Sequence, residues 1–263
     1  MDGLSLRRRI ALDIARSMRK SQEEEHPLRQ LFWECTLRCN LRCQHCGSDC
    51  KQVAATPDMP KEDFFKVLDS IVAKTDPHKV FVIISGGEPT MRADLEECGK
   101  GIYSRGFPWG MVTNGFGMTA ERFSRLLGAG LHSMTVSLDG LEENHDWLRG
   151  REGSFTRAAE TIRMAVRSGI AFDVVTCVNR RNYPQLPQLK EFLIGLGLKE
   201  WRLFSIFPQG RAALNPDLQL PPEMFRGMLD FIRETRKEGR IKASYGCEGF
   251  LGPYEGDVRD HFY

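Results

Sequence analysis

The 263-residue sequence lacks several features that would assign it to a membrane, secreted or nucleic-acid-binding class. It has no run of about eighteen apolar residues, which a membrane-spanning helix needs. The segment that follows Arg7-Arg8-Arg9 has no apolar core of the kind that a signal peptide carries. The net charge is only +2, which indicates no polyanionic partner. We therefore expect a cytoplasmic protein, without membrane insertion and with no nucleic acid among its partners.

The sequence also lacks internal repeats and low-complexity tracts, and its hydrophobic content of 41% and charged content of 27% are ordinary for a globular protein. A chain of this length buries a substantial core, and α/β barrels of this size commonly form one domain. We predict an N-terminal helix and linker over residues 1–27, with Ser21 to His26 as the linker. A core follows over 28–212, and a C-terminal helix with the start of a further segment over 213–263.

Cysteines are present and unevenly spread. Five of the eight lie between Cys35 and Cys50, which favours metal ligation in a reducing compartment over a disulfide framework. Among them, Cys39, Cys43 and Cys46 are offset by four and then three positions. Soft thiolates are the ligands of iron–sulfur clusters and zinc. Three of them leave one metal corner open, whereas a closed site takes four protein ligands.

The same residues also admit a zinc knuckle that is completed by His45, Cys35 or Cys50. The absence of a second paired-cysteine cluster downstream counts against that alternative. Only Cys39 to Cys46 has the four-then-three offset. We therefore expect Cys35 to be buried on the preceding strand and Cys50 to be a bystander thiol.

Apolar runs alternate with amphipathic stretches along the chain. A short amphipathic helix from Ile10 to Met18 is predicted to pack ahead of the main fold. After it, a strand, a loop and a helix recur about six times, and parallel strands joined by covering helices follow from that order. The predicted strands cover residues 28–35, 79–84, 110–113, 133–138, 171–178 and 201–207. The predicted helices that follow them cover 61–74, 94–105, 120–127, 154–167, 185–196 and 222–238.

Such a sheet is either open and doubly wound or curved into a full or partial barrel, and its ligands lie at the C-terminal ends of the strands. The cysteine loop falls at the first of these ends. Glycine-rich or polar motifs fall at four others. They are Gly86-Gly87-Glu88-Pro89, Thr113-Asn114-Gly115, Ser137 with Asp139-Gly140, and Asn179. One site can draw on all of them.

The spacing Cys39-x-x-x-Cys43-x-x-Cys46 after the first strand, with Gly86-Gly87-Glu88-Pro89 after the second, resembles the radical S-adenosylmethionine enzymes. The likeness covers about Leu28 to Gly210. Further segments are similar to the branch that modifies peptides and proteins: Ser137-Leu138-Asp139-Gly140, His145-Asp146-x-x-Arg149 with Gly153-Ser154-Phe155, and Pro208-x-Gly210-Arg211. Relatives in that branch usually carry a C-terminal SPASM extension with auxiliary iron–sulfur clusters. Because the sequence ends at Tyr263, near where such an extension begins, Cys247 fits either its first cysteine or a core thiol.

The resemblance implies an α/β fold, a partial (β/α)6 TIM-like barrel of parallel strands with outer helices. It implies a [4Fe–4S] cluster on Cys39, Cys43 and Cys46, whose fourth iron binds S-adenosyl-L-methionine through its amino and carboxylate groups. The reduced cluster cleaves this cofactor to methionine and a 5′-deoxyadenosyl radical, which abstracts hydrogen from a substrate. The expected substrate is a peptide or protein side chain, and the expected electron donor is a flavodoxin or ferredoxin.

The resemblance also implies residues that contact the cofactor. The motif Gly86-Gly87-Glu88-Pro89 is expected to hold the methionine amino group. The contact is made either by the backbone at Gly86 and Gly87 or by the Glu88 carboxylate. His45 is expected to stack beside the adenine.

Ser137 and Arg149 are candidates for the methionine carboxylate, since a hydroxyl and a guanidinium suit that group. Arg149 also fits an ordinary surface position. Thr113, Asn114 and Asp139 are candidates for the ribose side, although each also fits a simple turn.

Asn179 and Phe204-Ser205 are weaker candidates near the adenine or the substrate. Two other functions remain open at this stage. One is a non-enzymatic iron–sulfur or zinc protein for electron transfer or partner docking, and the other is a truncated relative that binds the cofactor without turning over a substrate.

Overall fold

Seven parallel strands form one sheet, and their order in space is their order along the chain. The computed structural model describes residues 5–260. The strands are Gln30–Thr36 (β1), Phe81–Gly86 (β2), Trp109–Thr113 (β3), Leu131–Ser137 (β4), Ala171–Val178 (β5), Glu200–Ser205 (β6) and Lys242–Tyr245 (β7). Each strand pairs in parallel with the next, and β1 and β7 are the two edges. The sheet is therefore an open, partial barrel.

Helices connect the strands and cover the outer face of the sheet, and one further helix precedes β1. They are Leu6–Glu25 (α1), Lys61–Val72 (α2), Leu95–Tyr103 (α3), Ala120–Gly128 (α4), Glu142–Arg149 (α5), Ser154–Ser168 (α6), Leu186–Gly195 (α7) and Pro222–Glu238 (α8). The core lies between helices and sheet, where Val82, Ile84 and Trp109 are fully buried. The alternate side chains of β2, Phe81 and Ile83, are half-buried on the inner face. All strand ends that carry the predicted motifs thus open on the same side.

The predicted α/β fold is confirmed, and β5 and α8 occupy the predicted ranges. Two elements were not predicted. The helix α5 has a polar sequence, EENHDWLR, with few apolar residues to reveal its period. The strand β7 has only four residues, KASY, too few for a periodic pattern.

The N-terminal prediction needs two corrections. The helix α1 continues to Glu25, so that most of the segment interpreted as a linker is helical. Its stripe of Ile10, Ile14 and Met18 is more than half exposed and does not pack on the fold; Leu12 is buried instead. The helix is attached through Arg8, which contacts Asp257 and donates to the Pro253 carbonyl at 3.0 Å. Across residues 5–260, the helices are too short or too polar to span a bilayer.

Candidate functional site

The cysteine loop, residues 37–51, follows β1 and lines a cavity at the C-terminal ends of the strands. Cys39 and Cys43 are each 7% exposed, and Cys46 is partly buried. The loop is closed at its base, where the Cys39 amide donates to the Lys51 carbonyl at 2.7 Å. Cys50, expected to be a bystander, lines the same cavity. Cys35 is buried on β1, as predicted.

The spacing of the thiols distinguishes a cluster from a single metal ion. Within residues 5–260, the group of three ligand atoms that lie within 4.8 Å of one another belongs to His45, Asp139 and Cys177. At least one pair of the Cys39, Cys43 and Cys46 sulfurs therefore lies more than 4.8 Å apart. Tetrahedral zinc, with a Zn–S distance of about 2.3 Å, brings its sulfur ligands closer together. A cluster offers each thiolate a separate iron, and so the loop fits an iron–sulfur cluster better than a zinc knuckle.

Burial changes the acidity of these thiols. It raises the pKa of Cys39 to about 12, and it also raises the pKa of Cys43, against the opposing effect of the nearby Arg149 guanidinium. The thiolate is the form that binds metal. The two thiols therefore stay protonated at neutral pH until a metal binds, and loading the site releases protons.

Arg211, far along the chain, fixes the far side of the cysteine loop. Its Nε donates to the Cys43 carbonyl at 2.7 Å, and its Nη1 donates to the Cys50 carbonyl at 2.9 Å. Its backbone amide donates to the Cys46 carbonyl at 3.0 Å. A Cβ at the preceding Gly210 would lie 2.3 Å from the Gly47 carbonyl oxygen. From the sequence, this Gly-Arg pair is recognisable only by its family likeness, because its contacts join segments that are far apart along the chain.

The end of α5 holds the near side of the same loop. The Gln44 amide donates to the Leu148 carbonyl at 2.8 Å, and the Gln44 side chain donates to the Trp147 carbonyl at 2.8 Å. The Arg42 amide donates to the Arg149 carbonyl at 3.2 Å. The loop is thus positioned by two segments that are more than 100 residues away in sequence.

The glycine pair after β2 is required by the neighbouring backbone. A Cβ at Gly86, where φ is +129°, would lie 2.3 Å from the Thr36 carbonyl oxygen. A Cβ at Gly87 would lie 2.2 Å from the Arg38 carbonyl oxygen. The amides of Gly87 and Glu88 donate to these two carbonyls at 2.7 and 2.9 Å. The absence of side chains at this pair therefore lets the end of β2 pack closely against the start of the cysteine loop. This role is separate from the close contact with a ligand that the sequence predicts.

The Glu88 carboxylate is 1% exposed and already satisfied by neutral donors. Its Oε1 accepts from the Thr90 amide at 3.1 Å, the Thr90 hydroxyl at 2.8 Å and the Thr113 hydroxyl at 2.7 Å. Its Oε2 accepts from the Asn114 amide at 2.8 Å. Glu88 also lines the cavity, and its Oε2 accepts only this one hydrogen bond, so that the backbone and the carboxylate both stay candidates for the methionine amino group. Pro89 begins a short 3-10 turn beside Glu88 and does not line the cavity.

Asp139 also has an internal role, in contrast to the expected ribose contact. Its side chain is fully buried and does not line the cavity. Its Oδ2 accepts from Arg149 Nε at 2.6 Å, and its Oδ1 accepts from the Cys177 amide at 2.8 Å. Burial is the largest influence and would raise the pKa of Asp139, but the Arg149 guanidinium, together with the smaller effects of its other neighbours and the Cys177 amide, holds this pKa below the usual range. The arrangement is that of a counter-ion and does not support a ribose contact.

Arg149 is buried and lies between this carboxylate and the cysteine loop. Its Nη1 donates to the Cys43 sulfur at 3.7 Å. Burial alone would lower the pKa of Arg149, but Asp139 and, to a smaller extent, the thiols of Cys43 and Cys177 together reverse that effect, and the pKa is raised. The side chain therefore carries a positive charge at the cavity wall. The alternative that Arg149 is an ordinary surface residue is wrong.

His45 lines the cavity with its ring nearly buried. Burial lowers the pKa of His45 to about 4, although Asp139 Oδ2 lies 4.0 Å from its Nε2 and acts in the opposite direction. The imidazole is neutral at pH 7. Its Nδ1 is buried without a hydrogen-bond partner among the described residues, which leaves that atom for a group entering the cavity.

The remaining candidates divide into two groups. Ser137, Thr113 and Asn114 line the cavity with the cysteines. Asn114 also orients the loop, because its Nδ2 donates to Asn40 Oδ1 at 2.9 Å and lies 3.8 Å from the Cys39 sulfur.

The residues at the later strand ends lie outside this lining. Asn179 is 1% exposed and accepts from the amides of Arg181 and Asn182. Ser205 hydrogen bonds to the Tyr245 hydroxyl at 3.0 Å, and its amide donates to the Cys247 sulfur at 3.3 Å. Cys247 is thus a buried thiol of the main core, next to β7.

Comparison with known proteins agrees with this geometry. The model of the Radical SAM superfamily matches residues 33–193, and the chain therefore belongs to the radical SAM superfamily. Its members use a [4Fe–4S] cluster and S-adenosylmethionine, which confirms the cofactors expected from the sequence.

Individual relatives carry out different reactions. An AdoMet-dependent heme synthase from Oleidesulfovibrio alaskensis is 28% identical over 235 residues, 89% of this chain and 60% of that protein. A PqqA peptide cyclase from Rhizobium meliloti is 26% identical over 217 residues, 82% of this chain and 56% of the cyclase. The chain thus spans about three fifths of the length of these relatives.

The fold resembles that of Streptococcus suis SuiB, which was crystallised with S-adenosylmethionine. The TM-score is 0.66 at 16% identity, covering 95% of this chain and 58% of SuiB. SuiB was also crystallised with its precursor peptide SuiA, and that structure gives a TM-score of 0.67 at 16% identity over 91% of this chain and 54% of SuiB.

Proposed function

We propose that this chain cleaves S-adenosylmethionine reductively and abstracts hydrogen from a peptide or protein side chain. The observation that carries the proposal is that three loop thiols share one cavity with Gly86, Ser137 and Arg149. When bound, the cluster supplies the electron that splits the cofactor into methionine and a 5′-deoxyadenosyl radical. A flavodoxin or ferredoxin is the proposed source of that electron.

The chain's own groups have separate roles in this proposal. Cys39, Cys43 and Cys46 hold three irons, and the backbone at Gly86 binds the methionine amino group. The Ser137 hydroxyl, which makes no hydrogen bond within residues 5–260, donates to the methionine carboxylate. The Arg149 charge supports that carboxylate from the cavity wall, while Asp139 fixes the orientation of the guanidinium.

His45 is the proposed ring beside the adenine. Its imidazole is uncharged at pH 7, so that its ring face can stack on the adenine. Its Nδ1, which has no hydrogen-bond partner among the described residues, is available to a polar edge of the adenine. Both properties suit an uncharged heteroaromatic ring, and neither requires a proton transfer.

The substrate class rests on relatives. The peptide proposal is supported by the likeness to the PqqA peptide cyclase and to SuiB. A second candidate, a heme-type substrate, is favoured by the 28% identity to the heme synthase over 89% of this chain.

Anaerobic reconstitution with iron and sulfide tests the cluster and the cleavage. We expect a protein with four irons that forms 5′-deoxyadenosine when dithionite and S-adenosylmethionine are added. Cys43→Ala should abolish both the cluster and the product. Cys50→Ala is the matched control, because it removes a thiol of the same loop outside the proposed ligand set, and it should retain both.

Two outcomes would contradict the proposal: product formation that persists in Cys43→Ala, or zinc without iron after anaerobic purification. The second would favour the non-enzymatic metal protein. Substrate class is tested by adding peptides or heme-type porphyrins to the reconstituted chain, since a true substrate raises 5′-deoxyadenosine formation above its uncoupled rate.

A further inference from the structure

We infer that a groove on the outer side of the cysteine loop docks an acidic one-electron carrier protein, which delivers the electron to the cluster. This inference rests on the proposed function and specifies where its electron enters. The groove has a volume of about 430 Å³. Its lining includes Cys39, Arg42, Asp49, Lys51 and Arg151.

The position of the groove is the first argument. Cys39 lines both the groove and the cofactor cavity, so that the cysteine loop alone separates the two. In the proposed function, S-adenosylmethionine and the substrate take the inner side of the loop. The electron donor must then approach from outside, and electron transfer slows steeply with distance. The groove is where a donor comes close to the cluster without displacing the cofactor.

The charge of the groove is the second argument. Three cations, Arg42, Lys51 and Arg151, face one carboxylate, that of Asp49. Asp49 is already paired, with Lys51 at 3.2 Å and Arg211 at 2.7 Å. In the part of the chain that the structure describes, neither Arg42 nor Arg151 has a carboxylate within ion-pair distance. The whole chain has a net charge of only +2, and the groove therefore concentrates a local excess of positive charge.

The third argument is that the charges are fixed relative to the cluster site. The Arg151 guanidinium lies 4.8 Å from the centroid of the Phe116 ring, and Phe116 packs against the buried cysteines. Lys51 is the last residue of the loop, and its backbone forms an isolated β-bridge with that of Arg38 at the base of the loop. A partner that matches these charges is therefore oriented with respect to Cys39 as well as attracted.

Together these features specify the partner as an anionic protein with a one-electron cofactor near its surface. Complementary charge mainly raises the association rate and fixes the register of such a complex. With a flavodoxin, one electron leaves the flavin hydroquinone and enters the oxidised cluster. No further co-reactant is needed for that step.

The test compares two reductants on the reconstituted chain. Reduced flavodoxin must dock, whereas dithionite is a small reductant that needs no docking surface. Bleaching of the cluster absorbance is followed by stopped flow in the wild type, Arg151→Glu and the control Arg163→Glu. Arg163 is exposed on α6 and does not line the groove. Arg163→Glu therefore makes the same change of charge as Arg151→Glu, but outside the groove.

We expect Arg151→Glu to slow reduction by flavodoxin about tenfold at low ionic strength, with a smaller difference at high salt. Reduction by dithionite and the reduction potential of the cluster should be unchanged in all three proteins. Reduction of Arg151→Glu by flavodoxin at the wild-type rate would overturn the inference, and so would equal slowing in Arg163→Glu. Lys51→Gln, which adds no negative charge, should give a smaller loss in the same direction.

A second readout does not require the cluster. Oxidised flavodoxin is titrated into the cluster-free chain by calorimetry, and Arg151→Glu should bind more weakly than the wild type and Arg163→Glu. Equal affinity for all three would also contradict the inference. A chain that bleaches with dithionite but makes no 5′-deoxyadenosine would contradict the proposed function alone.

Discussion

The turns at Glu88 and Asp139 place two buried carboxylates beside the same cysteine loop, and they satisfy them in opposite ways. Glu88 is 1% exposed and accepts only from neutral groups, on Thr90, Thr113 and Asn114. Asp139 is 0% exposed and accepts from a guanidinium, that of Arg149, as well as from a backbone amide. Equivalent positions at strand ends thus carry different electrostatics.

The difference indicates that the two turns have different roles at the cavity. The Glu88 turn ties β2 to β3 without bringing a cation to the site. The Asp139 turn keeps a buried guanidinium within 3.7 Å of the Cys43 sulfur, where it favours the thiolate. A buried ion pair is also more sensitive to loss of one partner than a set of neutral hydrogen bonds is.

Removal of the guanidinium should have the largest effect. Arg149→Met keeps the bulk of the side chain but leaves the Asp139 carboxylate buried without its cation. We expect the free energy of unfolding of the cluster-free chain to fall by about 3–5 kcal/mol at pH 7. Denaturant unfolding measures this. Adding Asp139→Asn to Arg149→Met should recover part of the loss, because the unpaired charge is gone.

Removal of the Glu88 charge should have a smaller effect. In Glu88→Gln, one acceptor oxygen becomes an amide donor that faces donors of Thr90, Thr113 or Asn114. We expect a loss of about 1–3 kcal/mol in the same measurement. Glu248→Gln, at an exposed position, is the control and should change little. A larger loss in Glu88→Gln than in Arg149→Met would reverse the comparison.

The Asp139 turn should also be the pH-sensitive one. His145 Nδ1 accepts from the Asp139 amide at 3.0 Å, which requires the neutral ring. Burial lowers the pKa of His145 to about 4, from the ordinary 6.5. The unfolded chain binds the proton first as the pH falls. The histidine's contribution to stability is therefore complete above pH 6.5 and is lost progressively toward pH 4.

The slope should approach about 1.4 kcal/mol per pH unit for this group within that window. Unfolding of the wild type and His145→Gln at pH 7 and pH 5.5 measures it, and the variant should lose less stability over this interval. His45, whose pKa is also lowered to about 4, should leave some slope in both proteins. Identical slopes would show that His145 does not make the turn pH-sensitive.

The sequence predicted well where the signal is local. The thiols of Cys39, Cys43 and Cys46 share a cavity because their spacing acts within one short loop. The motifs at Gly86 and Thr113 meet there because parallel strands with covering helices align their C-terminal ends. Local patterns failed for the polar helix α5 and for the four-residue strand β7, because neither has enough apolar residues to show a period.

The sequence by itself therefore determined the class of fold, and it predicted the three cluster cysteines and the end of the sheet at which we propose that the cofactor binds. The tertiary structure decided what the other residues do. Glu88 and Asp139 look alike as acids at strand ends, but only packing provides Glu88 with neutral donors and Asp139 with Arg149. Likewise, Arg211 reaches the cysteine loop across 168 residues of chain. Such contacts depend on distances between segments far apart in sequence, and no local pattern encodes those distances.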